Sequence, residues 1–102
     1  MQEFNEVFGK VQVLESTKEF GSSILIIEPG KEIKKHFHKK TKEVEIVLEG
    51  RPLCLSNNLV QSKGDINVWK PNQIHGYKNI SSSVARILCI TYPNYDPKDV
   101  FE

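Results

Sequence analysis

Cysteine is scarce in this chain. Only Cys54 and Cys89 occur, far apart and in no CxxC pair, whereas a small secreted domain stapled by disulfides usually carries more. Two reduced, buried thiols are expected, the usual state of free cysteine. Long apolar runs are missing too. None approaches the roughly 20 residues needed to cross a bilayer. Residues 1–10 carry Glu3, Asn5 and Glu6 where a signal peptide has its apolar stretch. A cytoplasmic location with no membrane partner is the expectation. A charge of one sign is also lacking: 14 Lys and Arg against 13 Asp and Glu give a net charge of +1. The molecule as a whole has no strong pull towards polyanions. No aromatics interleave with basic residues to make a stacking platform, so no nucleic-acid partner is expected. Helical periodicity is nearly absent. Phe4, Val7 and Phe8 have i, i+3, i+4 spacing, but that stretch is too short to separate a helical turn from a strand. No internal repeat, linker or low-complexity tract occurs.

What remains is a series of short β-rich runs, at residues 11–14, 23–28, 44–48, 52–56, 59–61, 66–69, 74–77 and 84–92. Between them stand Pro29-Gly30, Glu49-Gly50, Asn57-Asn58, Lys63-Gly64-Asp65, Pro71-Asn72 and Ser81-Ser82-Ser83. Many short strands separated by turn signals predict an all-β sandwich or barrel. Asn57-Asn58 suits a tight hairpin, because asparagine tolerates positive φ. The 102 residues, 38 % hydrophobic, suffice for one domain over 1–102, with a core small enough that oligomerisation is a common supplement. Residues 93–102, with two prolines and no alternation, read as an extended C-terminal arm. Its Tyr95, Val100 and Phe101 are expected to pack on the barrel or on a second subunit.

One cluster of residues carries chemistry. His36 and His38 are two apart, and on a strand residues i and i+2 share a face. Both imidazoles then reach one point, while Phe37 faces away. If the chain turns at 39–42, Glu43 returns beside them, and His75 arrives from a distant hairpin. A lone histidine is ordinarily structural or exposed, and among Lys34, Lys35, Lys39, Lys40 and Lys42 a solvated basic loop is the alternative reading. Three imidazoles converging with a carboxylate instead suit one divalent transition metal (Fe, Mn, Ni, Co or Zn), with coordination positions left for water or substrate.

The spacing resembles that of the cupin family. Gly30 is followed after five residues by His36-Phe37-His38, then after four by Glu43, then after six by Gly50. This reproduces the family's first motif, over residues 30–50. The second motif corresponds to residues 64–79, with Gly64, His75 eleven positions later, and Asn79 four beyond that. Two departures lie in the loop before His75: Pro71 is one place late, and Gln73 stands about where the family has glycine. Chance agreement with the first motif is on the order of once in a million starting positions. The resemblance implies a double-stranded β-helix, or jelly-roll barrel. It implies metal ligation by His36, His38, Glu43 and His75, and a homodimer.

Alternation places Glu45 and Val47 on Glu43's face, with Val44, Ile46 and Leu48 on the other. Glu45 is therefore a candidate general acid/base or a hydrogen-bond support for a ligand; the alternatives are a bulge that turns it to solvent or pairing with a lysine. The stripe Val44-Ile46-Leu48 is a candidate dimer contact, or packs under the N-terminal segment. Tyr77 shares His75's parity and is a candidate pocket hydroxyl, whereas Asn79 reads as structural. Trp69, the single tryptophan, reads as packing before substrate stacking. Residues 31–42 hold six lysines against Glu32. They form a solvated face or draw an anionic substrate to the barrel mouth.

Fold alone does not fix function, and the family spans isomerases, epimerases, lyases, dioxygenases and non-catalytic modules. The reading is a divalent-metal-dependent enzyme of isomerase/epimerase, lyase or dioxygenase type. Its substrate is a small polar molecule, carbohydrate-like or anionic. An Fe(II) dioxygenase and a non-catalytic small-ligand-binding module are the alternatives.

Overall fold

The computed structural model describes residues 1–102. It contains ten strands: β1 (Gln2–Glu6), β2 (Gly9–Ser16), β3 (Gly21–Ile27), β4 (Glu32–His36), β5 (Lys42–Glu49), β6 (Pro52–Cys54), β7 (Leu59–Val60), β8 (Ile66–Trp69), β9 (His75–Asn79) and β10 (Ala85–Tyr92). No helix is long and apolar enough to cross a membrane. A six-stranded sheet runs β1-β2-β3-β10-β5-β8, and a four-stranded sheet runs β4-β9-β6-β7. All pairings are antiparallel. Two antiparallel sheets enclosing one interior agree with the sandwich or barrel that the run pattern predicts and with the double-stranded β-helix that the resemblance implies.

Alternation decides what enters that interior. Along β5, Glu43, Glu45 and Val47 are buried while Val44, Ile46 and Leu48 are only half-buried. On β10, Ala85, Ile87, Cys89 and Thr91 point inward. Ile27, Cys54, Trp69, Tyr77, Ala85 and Ile87 form one contiguous cluster, joined by Phe8, Leu25 and Ile33. Each large aliphatic side chain buried there contributes about 1.5–3 kcal/mol. Both cysteines are buried and free.

The turns follow from local chemistry. Asn58 takes φ 62° in the hairpin joining β6 to β7, the left-handed conformation that asparagine accepts. Gly50, after β5, has φ 88°, and a Cβ there would lie 2.7 Å from the Ala85 Cα, so a side chain is excluded twice over. Gly76, next to His75, lets β9 lie close against β4: a Cβ would sit 2.6 Å from the Ile33 carbonyl oxygen.

Three differences from the sequence reading matter. Residues 4–8, undecided between helix and strand, split into the edge strand β1 and a turn at Val7 and Phe8. Residues 32–36 are a strand although they are lysine-rich. β4 lies at the edge of its sheet, pairs only with β9, and turns its lysines to solvent. The N-terminal hairpin extends the six-stranded sheet beyond β3, so it does not cover the Val44-Ile46-Leu48 stripe. That stripe continues across the outer face through Leu88 and Ile90 to Ile24 on one side and through Val68 and Ile66 on the other.

Candidate metal centre

The interior is unusually polar. His38, Thr41, Glu43, Glu45, Gln61, Asn67, His75, Asn79, Thr91 and Asp99 are all buried. Burying such groups costs several kcal/mol each unless they are hydrogen-bonded, and nearly all are.

His36 ends β4 and His75 opens β9, and the two are direct cross-strand partners. His38 follows Phe37, which leaves the strand to bridge Phe101. Glu43 sits on β5 between Thr91 of β10 and Trp69 of β8. The structure thus gathers His36, His38, Glu43 and His75, with one ligand atom from each within 4.8 Å of the others. The Nε2 atoms of His38 and His75 lie 2.6 and 2.9 Å from the same oxygen, Oε1 of Glu43.

The far side of each imidazole is occupied. Nδ1 of His36 lies 2.7 Å from the Lys34 carbonyl, Nδ1 of His38 lies 2.7 Å from the Asp99 carbonyl, and Nδ1 of His75 lies 3.0 Å from the Gln73 carbonyl. A carbonyl only accepts, so every Nδ1 carries its proton. In each neutral ring the lone pair is therefore on Nε2. Nε2 of His38 is buried and has no hydrogen-bond partner despite its closeness to Glu43. Lone pairs facing a carboxylate repel it unless a cation, a proton or a metal ion, stands between them. The donor set of three imidazole nitrogens and one carboxylate fits a divalent transition metal.

The electrostatics reflect the same tension. Burial lowers the pKa of His36 against the opposing pull of the Lys34 carbonyl. For His38 and His75, burial also works against protonation. The adjacent carboxylate of Glu43 outweighs it and raises both. Burial opposes the charge on Glu43, yet His38 and His75 hold its carboxyl far below the carboxylate range. Cys89 donates to Glu43 Oε2 at 3.0 Å. Burial, then the charges of Glu45 and Glu43, push its thiol well up, so it stays protonated.

Glu45 points inward and is buried, neither bulged to solvent nor paired with a lysine. Its Oε1 accepts from Trp69 Nε1 at 2.5 Å and from the Tyr77 hydroxyl at 2.6 Å. Burial, then the negative charge of Glu43, raises its pKa. The Tyr77 hydroxyl is inside but committed to Glu45, and it accepts from Asn67, which exchanges two hydrogen bonds with Gln61. Asn79 is structural: it donates to the Ile27 and Ser83 carbonyls and accepts from Ser81. Trp69 stacks on His75, 5.1 Å between ring centres and 7° from parallel. Gln73 braces the loop before His75, its side chain accepting from the Lys70 amide at 3.0 Å.

Sequence reasoning missed Asp99. Its carboxylate accepts from the Lys39 and Lys40 amides at 2.9 and 3.0 Å and from the Thr41 hydroxyl at 3.2 Å. With Phe101 stacked on Phe37, the C-terminal residues clamp the loop that carries His38. No periodic signal marks such a contact. Cys89, by contrast, was available from alternation along its strand.

The four side chains open onto a cavity of about 900 Å³. Of the lysines at 31–42, only Lys34 lines it. Residues 23–91 match the profile of the Cupin_2 family, the cupin domain. Over 76 residues the chain is 33 % identical to MJ1618, an uncharacterised protein of Methanocaldococcus jannaschii; the match covers 72 % of this chain and 61 % of that protein. The chain thus accounts for about three-fifths of the length of that relative. Among solved structures, a double-stranded β-helix protein from Klebsiella pneumoniae superposes with a TM-score of 0.71 at 26 % identity, covering 79 % of this chain and 69 % of the other. A sugar phosphate isomerase of the cupin superfamily from Silicibacter pomeroyi, SPO2919, shares the fold. Its TM-score is 0.64 at 22 % identity, covering 72 % and 50 % of the two chains. With its profile match, its two motifs and its two-sheet barrel, the chain belongs to the cupin family.

Proposed function

We propose that the protein is a divalent-metal-dependent enzyme acting on a small molecule that offers oxygen donors to the metal. The supporting observation is the set of three Nδ1–carbonyl bonds, which leave three Nε2 lone pairs beside one buried carboxylate. His36, His38, Glu43 and His75 would hold the ion. When bound, it supplies Lewis acidity that polarises a carbonyl or hydroxyl oxygen. Glu45 is assigned the proton transfer: it lines the cavity, and its raised pKa keeps a proton available. Trp69 and Tyr77 hold one of its oxygens, which leaves the other for exchange. The exposed apolar face around Ile66 and Val68 supports a homodimer built on the outside of the six-stranded sheet.

Elemental analysis of untagged protein, beside Glu43→Ala and His75→Ala, tests this reading. The expected result is about one metal per chain, lost in both variants. Absence of metal in the wild type after reconstitution with Fe(II), Mn(II), Ni(II), Co(II) and Zn(II) would overturn it. Glu45→Gln is expected to keep the metal and lose turnover by roughly 10²–10⁴-fold.

A further inference from the structure

The cavity has two chemically different ends. Register across the inner face of the six-stranded sheet gives one row Glu45–Cys89–Ser23–Val13–Gln2 and a neighbouring row Val47–Ile87–Leu25–Val11–Phe4. Strands lie about 4.8 Å apart, so the surface passes from the carboxylates through small Ser23 to an apolar floor of Val11, Val13 and Phe4. Leu25, Ile33 and Phe8 also line this end. Charge on the lining is one-sided. At its exposed rim, Glu6, Glu15, Glu32 and Glu102 face Lys34 alone. A substrate bearing a phosphate or a second carboxylate would meet carboxylates at the rim and find a single cation.

Resting on the metal reading above, we infer that the substrate is an amphiphile without net negative charge beyond its chelating group. Its oxygen-donor head sits at His36, His38, Glu43 and His75, and its apolar body runs over Ser23 onto Val11 and Val13. The polar end accepts the head, and the acidic rim discriminates against anionic tails.

The test is calorimetric titration of metal-loaded protein with acetohydroxamate, hexanohydroxamate and octanohydroxamate, and with a hydroxamate whose alkyl chain ends in a carboxylate. Affinity is expected to rise roughly two- to fourfold per methylene along the alkyl series. The carboxylate-ended probe is expected to bind at least about tenfold more weakly than its methyl-ended counterpart. Val13→Asp should flatten the series while leaving acetohydroxamate within about twofold of wild type; the isosteric Val13→Thr should flatten it partly. A flat series on wild-type protein that retains its metal overturns the inference alone, including the case in which a second copy covers the apolar end. Equal binding of the two chain ends overturns it as well. Failure of the protein to retain metal overturns the metal reading itself, and the metal assay on the same sample tells the two failures apart.

Discussion

His36 and His38 are separated by one residue and face the same point, yet different parts of the molecule hold them. His36 is fixed locally, its Nδ1 on the carbonyl of Lys34 within its own strand, and it is half-buried. His38 is buried and fixed from 61 residues away by the Asp99 carbonyl, while the Asp99 side chain pins residues 39–41. The Asn72 amide also donates to the His38 carbonyl, at 2.6 Å. Two candidate ligands can thus share a motif and a face while one depends on strand geometry and the other on closure of the whole barrel.

Removing each imidazole is the sharpest way to separate the two. On the metal reading, both His36→Ala and His38→Ala lose more affinity than the roughly 10–100-fold typical of a lost supporting hydrogen bond. Their effects on the fold should differ. His38→Ala strips partners from Glu43 and from a buried carbonyl, and is expected to cost roughly 1–3 kcal/mol in chemical denaturation of the metal-free protein. His36→Ala should cost under about 1 kcal/mol. Equal costs would mean that the long-range anchor contributes nothing special.

Acidity separates them next. Glu43 raises the pKa of His38 and His75, against their burial, while burial lowers that of His36. Metal binding must displace protons from the first two. As the pH is lowered, Zn(II) affinity is therefore expected to start falling before pH 6.5, the ordinary imidazole value, is reached. With two protons to displace, the steepest fall approaches about a hundredfold per pH unit. His36→Ala should keep that two-proton slope and His38→Ala should reduce it to one, as read from chelator competition across pH. A slope that drops in both variants would place His36 among the titrating groups.

The smallest expected effect is the most selective. Asp99→Ala, which touches no ligand atom, should weaken Zn(II) binding by about tenfold, with Asp99→Asn in between because one amide acceptor survives. The Co(II) absorption spectrum of Asp99→Ala should also change, reporting a displaced His38. An unchanged spectrum and affinity would reduce the C-terminal clamp to packing.

The same contrast explains what could be read without coordinates. Alternation over 43–48 put Glu43 and Glu45 inside, and turn chemistry marked Asn57-Asn58. Residues 66–69 were read with their observed bounds. These features are encoded in neighbours two to four positions apart. The spacing of His36, His38, Glu43 and His75 grouped four residues that the barrel brings together. β4 escaped notice because an edge strand with solvent on one side needs only Ile33 as its apolar mark. Asp99 escaped because its partners lie some sixty positions away and an exposed-looking aspartate in a proline-containing tail carries no periodic signal. The lysines of 31–42 left two readings open, a solvated face or a draw for anions at the mouth. Most of them are exposed and only Lys34 lines the cavity, which favours the solvated face.

Trp69 gives the molecule a built-in optical probe. It is the sole tryptophan, its ring lies flat against His75, and its indole nitrogen is bonded to Glu45. Emission excited selectively at the red edge of indole absorption, where the three tyrosines do not absorb, therefore has one source, beside the proposed ion. An open-shell ion such as Mn(II), Fe(II), Co(II) or Ni(II) should quench it on arrival, whereas closed-shell Zn(II) should not. Unmodified protein in a fluorimeter then reports which class of ion it has taken up and how fast, without label, tag or crystal.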